Sequence, residues 1–325
     1  MRAIVVADDR RGSLSWDEVP TPQPGPGQVR IRVRATAINR ADLLQRRGLY
    51  PVPPGASEIL GLEAAGHIDL LGEGVAGWQV GDAVCVLLEG GGYAEHVVVD
   101  ASMLLPVPSG LTVEQAAALP EVFYTAYLNL YMEGRLANGE SALIHAGASG
   151  VGTAALQLCR AFGNPAYATA SADKLDACRQ WGATEAFDRT NDSFRERIRE
   201  LRGRAGVDVI LDMVGGGYLA DNIDTVGVGG RIVLIGLMGG AKDEIPLNRL
   251  LMKRVSLIGS VLRSRGRADK EVITAELRER VWPLFETGAL QPVIETSFPI
   301  EQVEQAHELI ASNTTVGKVL LTIGD

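Results

Sequence analysis

Residues Val29–Ala35 (VRIRVRA) alternate apolar and polar side chains without a break, which predicts a strand with one buried face. The segment before it, Pro20–Gly27 (PTPQPGPG), excludes both helix and central strand and reads as a connector. Gly61–Leu71 and Asp82–Leu88 read as further strands, with turns at Gly72-Glu73-Gly74 and Gly81-Asp82. Gly90-Gly91-Gly92 reads as a bare loop, after which Tyr93–Val99 (YAEHVVV) resumes an extended pattern. Many short strands between Gly and Pro turns predict a barrel-like β domain.

The period changes near Thr112. Thr112-Val113-Glu114-Gln115 has the spacing of a helix N-cap, and the apolar positions through Met132 are helical. From Ser141 onward strands and helices alternate. Strands are expected at Ser141–Ala146, Tyr167–Ala170, Glu185–Asp188, Val207–Met213, Arg231–Leu237 and Val255–Val261. Helices are expected at Gly152–Phe162, Ala172–Trp181 and Phe194–Arg202. This alternation predicts a doubly wound parallel sheet with helices on both faces. One long helix from Ala268 and a last strand at Gly317–Ile323 follow the series, and are placed back with the first domain. The expected division is 1–122, 123–263 and 264–325, the last part rejoining the first.

At 325 residues the chain is long enough for two domains that need no disulfide or metal staples. Its net charge of -9 argues against nucleic acid as a partner, because a phosphate backbone demands surplus Lys and Arg. No apolar run approaches a membrane span, and the opening Met1–Asp8 meets acid too early for a signal peptide. Cys85, Cys159 and Cys178, with His67, His96, His145 and His307, form no metal-binding motif, so no metal is expected. The odd cysteine count fits a reducing, cytoplasmic interior, and Cys159, within an apolar helical stretch, reads as a packing residue.

The chemistry-bearing segment is Leu143–Ala155 (LIHAGASGVGTAA), where a buried strand runs into glycines and then directly into an apolar helix. Glycines let the backbone turn sharply and approach a pyrophosphate, and the helix start presents free N–H groups to the anion. Gly147, Gly150 and Gly152 fall as G-x-x-G-x-G rather than G-x-G-x-x-G, and the β-α units downstream supply the context that a lone glycine match lacks. Ala148, Ser149 and Val151 lie in the same loop. A rival reading takes Gly147–Val151 as a nucleophile elbow. Val151 does not suit that strained turn, and His307 is the one histidine after Ser149, so a hydrolase is disfavoured.

An NAD site places an acid on the ribose about 20 residues past the glycines. Here the second strand ends Ala168-Thr169-Ala170-Ser171 without one, while Lys174 and Arg189 stand nearby. Cations and hydroxyl donors suit a 2′-phosphate, so NADP(H) is expected over NAD. Asp173 and Asp188 oppose this, since either carboxylate suits a ribose hydroxyl.

These residues, with Ala37-Ile38-Asn39-Arg40-Ala41-Asp42, Leu60-Gly61-Leu62-Glu63-Ala64-Ala65-Gly66, Leu237-Met238-Gly239-Gly240, Leu262-Arg263-Ser264-Arg265 and Gly317-Lys318-Val319, resemble the zinc-independent quinone oxidoreductases of the medium-chain dehydrogenase/reductase superfamily, the zeta-crystallin-like group. The resemblance spans essentially the whole chain. It implies a GroES-like β-barrel-type catalytic domain, a Rossmann cofactor domain, and an active-site cleft between them. Zinc-dependent members carry Cys at the position of Asn39 and His at that of Leu62, and this chain has neither. The family's A-x-x-G-x-x-G loop appears as Ala146-x-x-Ser149-x-x-Gly152. The family often has Tyr where Arg189 stands.

The resemblance implies that Tyr50 and Ser149 line the substrate pocket and hydrogen-bond a developing oxyanion, with Asn39 fixing the cofactor ribose or the pocket wall. Thr125, Leu237, Met238 and Lys318 are assigned to the cofactor, as are Val261, Leu262 and Arg263 on the loop after the last sheet strand. The expected reaction is hydride transfer from NADPH to a quinone. The alternatives are reduction of an enone in the same pocket, or a non-catalytic NADPH-binding protein with a structural or regulatory role. A homodimer is expected, because late strands of the cofactor sheet offer an exposed edge.

Overall fold

The computed structural model describes residues 1–7, 9 and 12–324. Asp8, the acid that interrupts the opening segment, lies outside them. The chain divides into two compact units, Met1–Tyr124 with Arg263–Asp325, and Thr125–Leu262.

The first unit opens on an antiparallel pair, β1 (Arg2–Val6) and β2 (Leu14–Glu18), which the half-polar sequence LSWDE conceals. The alternating segment becomes β3 (Gln28–Ala37), with Val29, Ile31, Val33 and Ala35 buried and Arg32 exposed. β3 is the hub of the main sheet. It pairs antiparallel with β4 (Glu63–Leu71) and with β6 (His96–Asp100). β5 (Ala83–Leu87) adds to β4, and the two-residue β7 (Leu105–Pro106) adds to β5. Ile31, Val33, Val84, Val86, Leu104 and Tyr93 fill the core. The Gly90–Gly92 loop is buried, and a Cβ on Gly90 would lie 2.3 Å from the Ser57 carbonyl oxygen.

The second unit is a six-stranded, all-parallel sheet: β8 (Ala142–Ile144), β9 (Ala166–Ala170), β10 (Glu185–Asp188), β11 (Val207–Asp212), β12 (Val226–Leu234) and β13 (Ser256–Gly259). Their order is β10-β9-β8-β11-β12-β13, the doubly wound Rossmann arrangement, with the direction of winding reversing between β8 and β11. β12 begins at Val226, five residues before the expected Arg231. Gly227, Gly229 and Gly230 read as breakers, yet they are accommodated beside a register shift at Val207/Val209. Helices Leu219–Thr225 and Leu247–Lys253 lack a sustained apolar period and were not expected.

The chain then returns to the first unit. The helix expected from Ala268 is two helices, Arg267–Arg280 and Trp282–Glu286, because Pro283 has no N–H for a continuous ladder. β14 (Ile294–Pro299) runs parallel to β15 (Lys318–Thr322), and β15 pairs antiparallel with β3. Thus residues some 280 apart in sequence meet at the centre of the first sheet.

Candidate functional site

In the second unit, β8 ends at Ile144 and a tight turn delivers Ser149 as the N-cap of the helix Gly150–Phe162. The Ser149 Oγ accepts from the Gly152 N–H at 3.0 Å and faces the Met213 Sδ at 3.6 Å. Met213 follows β11, so the contact crosses the point where winding reverses, the usual ligand crevice of such sheets. The glycines are required by closeness rather than by a left-handed backbone. A Cβ on Gly147 would sit 2.7 Å from that of Ala168, and one on Gly152 would sit 2.4 Å from the Ala146 carbonyl oxygen. The positive φ of the turn, 50°, falls on Ala146. The sharp turn expected of the glycines is therefore made by an alanine. Gly150 and Val151 stand at the helix mouth, partly exposed, and first-turn N–H groups have no partner within a helix.

Beneath the turn, His145 is fully buried and accounts for both its ring nitrogens. Asn222 Nδ2 donates to Asp212 at 3.0 Å, so its Oδ1 accepts from His145 Nε2 at 2.7 Å, and Thr169 Oγ1 lies 3.0 Å from Nδ1. Burial holds this imidazole below its ordinary pKa. It is a structural brace for β8, β9 and β11.

At the ends of β9 and β10, Arg189 Nε donates to Ser171 Oγ at 3.2 Å. Lys174 closes the turn after Ser171, and its side chain is buried rather than splayed over solvent. Asp188 is turned inward: its carboxylate takes the Thr190 N–H at 3.0 Å and the Asn191 amide at 2.6 Å. Asp173 is exposed. Thr125 is buried, with no partner for its Oγ1 among the described residues. Ala148 and Leu262 are buried, whereas Leu237, Met238 and Val261 are more than half exposed. A buried orphan hydroxyl and a helix mouth behind close-packed glycines are what a dinucleotide phosphate demands.

In the first unit a second polar cluster forms around Asn39, which precedes the helix Arg40–Arg46. Asn39 Nδ2 donates to Glu63 Oε1 at 2.9 Å, and its Oδ1 accepts from Lys318 Nζ at 2.6 Å. Lys318 also donates to the Ile38 carbonyl at 2.9 Å and pairs with Glu63 at 2.8 Å. All three ammonium hydrogens are thereby engaged within this unit, so no Lys318 N–H is left for the cofactor to which the resemblance assigns it. The second Glu63 oxygen takes the Glu121 N–H at 2.9 Å.

Asp42 lies alongside, fully buried. It accepts from the Asn39 N–H at 2.7 Å, the Gly61 N–H at 3.1 Å and the Tyr93 hydroxyl at 3.1 Å, and Tyr93 in turn lies 3.2 Å from His307 Nε2. Gly61 is needed here: its φ is +101°, and a Cβ would sit 2.6 Å from the Tyr93 ring. Burial pushes Asp42 up to about 6 and His307 down to about 4. Burial beside Glu63 pushes Glu121 up to about 8.

Tyr50, half-buried, has its ring 5.1 Å below the Arg263 guanidinium carbon. Its phenol is raised by burial and by Glu121, so it stays protonated at neutral pH. Leu62, where the resemblance places His in zinc-dependent members, is a buried aliphatic. Among the described residues no cluster of three His, Cys, Asp or Glu suits a metal. Cys85, Cys159 and Cys178 are buried free thiols, and burial pushes Cys159 up to about 12.

Asp42, Glu63, Tyr93, Glu121 and His307 were not anticipated as members of this cluster. Two signals pointed to them. Asn39-x-x-Asp42 has capping-box spacing, and Glu63 is an acid set within the run Leu60–Gly66 of apolar and glycine residues.

Residues 25–109 match the alcohol dehydrogenase GroES-like domain, and residues 150–286 match the zinc-binding dehydrogenase family. The chain is 35% identical over 305 residues to the human synaptic vesicle membrane protein VAT-1 homolog, covering 89% of this chain and 77% of that protein. It is 32% identical over 292 residues to rat quinone oxidoreductase, covering 89% and 87%. A crystal structure described as an NAD-dependent alcohol dehydrogenase superposes with a TM-score of 0.86 at 30% identity over all of both chains. Together with the GroES-like and Rossmann units, these matches establish that the chain belongs to the quinone oxidoreductase-like proteins of the medium-chain dehydrogenase/reductase superfamily.

Proposed function

We propose that this protein is a zinc-independent, NADPH-dependent reductase of the zeta-crystallin-like group that delivers hydride to a quinone. The observation that carries the cofactor choice is the hydrogen bond between Arg189 and Ser171 at the tips of β10 and β9. It sets a cation and a hydroxyl where an NAD site sets an acid, while Asp188 is occupied within its own turn. One similar structure is described as NAD-dependent, so this choice is the first to be tested.

When bound, the reduced nicotinamide supplies the hydride. The chain supplies orientation and charge. The helix mouth at Gly150 and Val151 holds the pyrophosphate, Thr125 offers its orphan hydroxyl, and Lys174 with Arg189 addresses the 2′-phosphate. Tyr50 donates its phenolic proton in a hydrogen bond to the carbonyl oxygen of the acceptor, which gains negative charge as hydride arrives at the quinone. A quinone thus becomes a hydroquinone by taking one hydride from the cofactor and one proton from solvent. Asn39 serves this reading as the residue that ties the helix Arg40–Arg46, four residues before Tyr50, to Glu63 and Lys318.

The test follows absorbance at 340 nm with NADPH and with NADH, against 1,4-benzoquinone and a small enone. Replacing Lys174 and Arg189 by Ala should raise the KM for NADPH by roughly ten- to a hundredfold, the worth of one or two charge-assisted hydrogen bonds, and leave NADH unchanged. An unaltered preference between the two cofactors would remove the 2′-phosphate assignment. Reduction of the enone instead of the quinone would favour the alternative substrate. NADPH binding without turnover of any acceptor would favour a structural or regulatory role. No described helix is long and apolar enough to cross a membrane, and we place the protein in the reducing cytoplasm. We also propose a homodimer through β13, the edge strand, where Leu257 is exposed, as are Leu251 and Met252 on the preceding helix. Sedimentation of the purified chain tests it.

A further inference from the structure

Arg263 was assigned to the cofactor by sequence, yet its side chain is committed within the first unit. It is 5% exposed. Nε and Nη2 both donate to the Glu89 carbonyl oxygen, at 2.8 and 2.6 Å. The Glu89 carboxylate is taken by Lys270, whose Nζ also donates to the Arg263 carbonyl at 2.8 Å. The guanidinium is therefore fixed from the Glu89 side, and its own acidic partner has been drawn off by a lysine. On the other side it lies over the Tyr50 ring at 5.1 Å. Nη1 is buried with no hydrogen-bond partner among the described residues. A buried N–H on a permanent cation is costly to leave unpaired, and the large majority of buried polar side-chain atoms have a partner.

We propose that Arg263 is a substrate-binding residue whose Nη1 donates to the same acceptor oxygen that the Tyr50 hydroxyl addresses, while its planar face fixes the Tyr50 ring. The occupant is a carbonyl compound whose oxygen becomes anionic on reduction, such as a quinone or an enone. This rests on the reductase reading above. A guanidinium suits that oxygen better than an ammonium does, because it is planar, always charged and weakly hydrated. It adds a full positive charge beside a neutral phenol donor, so its attraction grows as the oxygen gains charge. Three further groups bear on Tyr50 itself: Glu121 and Asp42 raise its pKa, and Arg263 lowers it.

The test uses the full chain and the variants Arg263→Ala, Arg263→Lys and Tyr50→Phe. With 1,4-benzoquinone, Arg263→Ala should lose about a hundredfold in kcat/KM for the acceptor, while the KM for NADPH moves less than twofold. Arg263→Lys keeps the charge and one bond to Glu89, and should recover part of the loss, which also covers the event that the alanine variant fails to fold. Unchanged acceptor kinetics in Arg263→Lys and Arg263→Ala would overturn the proposal and leave the reductase reading intact. A loss confined to the KM for NADPH would also overturn it and return Arg263 to the cofactor. If wild type reduces no acceptor, the reductase reading fails on its own. Tyrosinate absorbance at 295 nm, taken as the difference between each protein and its Tyr50→Phe counterpart, then tests the stacking alone. Removing the cation should move the Tyr50 transition to higher pH, and an unmoved transition would overturn the clamp.

Discussion

The turn Ala146–Gly152 and the cluster around Asn39 are both polar features at strand ends, but they are built in opposite ways. The turn draws on seven consecutive residues and uses backbone, and its helix mouth is capped at one position, the Gly152 N–H, by Ser149. The Asn39 cluster draws on side chains up to 279 residues apart, and Asn39, Glu63 and Lys318 saturate one another. Unsatisfied groups behind a rigid backbone are ready for an anion. A saturated cluster holds position and offers little to a ligand. Arg263 in the same unit differs, since its Nη1 is a buried donor with no partner among the described residues.

The largest effect should come from opening the saturated cluster. Lys318 is 4% exposed and Glu63 is fully buried. Lys318→Met leaves a buried carboxylate without its cation, a change that typically costs about 3–5 kcal/mol. The urea midpoint should fall accordingly. Adding Glu63→Gln should recover a part of the loss, because the uncompensated charge is then gone. A single variant as stable as wild type would show that Glu63 and Lys318 do not depend on each other.

A smaller effect, with a sign that separates two members of the cluster, lies in the pH dependence. Asp42 is pushed up to about 6 from 3.8. Between those values the native carboxyl keeps a proton that the unfolded chain has released, so stability falls as pH rises, by about 3 kcal/mol in all. His307 is pushed down to about 4 from 6.5. There the unfolded imidazole binds a proton that the native one refuses, so stability rises with pH by a similar amount. Tyr93 joins the two, and their slopes nearly cancel. Relative to wild type, His307→Gln should lose stability as pH goes from 4 to 6, and Asp42→Asn should gain it. Parallel curves from denaturant titrations across that range would contradict both assignments.

The contrast also explains what was legible in the sequence. The glycine turn could be read because its parts are adjacent: Gly147, Gly150 and Gly152 stand between a buried strand and an apolar helix. Even so, the left-handed residue was Ala146, since sequence shows which residues tolerate a strained φ and not which one tolerates it here. The Asn39 cluster depends on β15 returning to β3 across the whole length of the chain. Lys318 was therefore legible as a lysine near the end of the chain, but not as the partner of Glu63. Arg263 lies at the transition between the units. Its place in the sequence pointed to the preceding sheet strand, whereas its side chain follows the residues after it to Glu89 and Tyr50.

The smallest effect concerns Ser149, where the cap and the proposed chemistry use the same atom. Its Oγ holds the Gly152 N–H, so Ser149→Ala should cost about 1 kcal/mol as the loss of an N-cap. Ser149→Asp keeps a good cap and should stay within a few tenths of wild-type stability. It also places a negative charge at the helix mouth, where it repels a phosphate. Calorimetry should then find NADPH binding weakened in Ser149→Asp far more than in Ser149→Ala, although the alanine variant is the less stable of the two. Equal binding by both variants would mean that the helix mouth does not hold the pyrophosphate. Ser149→Thr retains hydroxyl and cap together. If it turns over quinone while Ser149→Ala does not, the hydroxyl serves the acceptor as well as the helix.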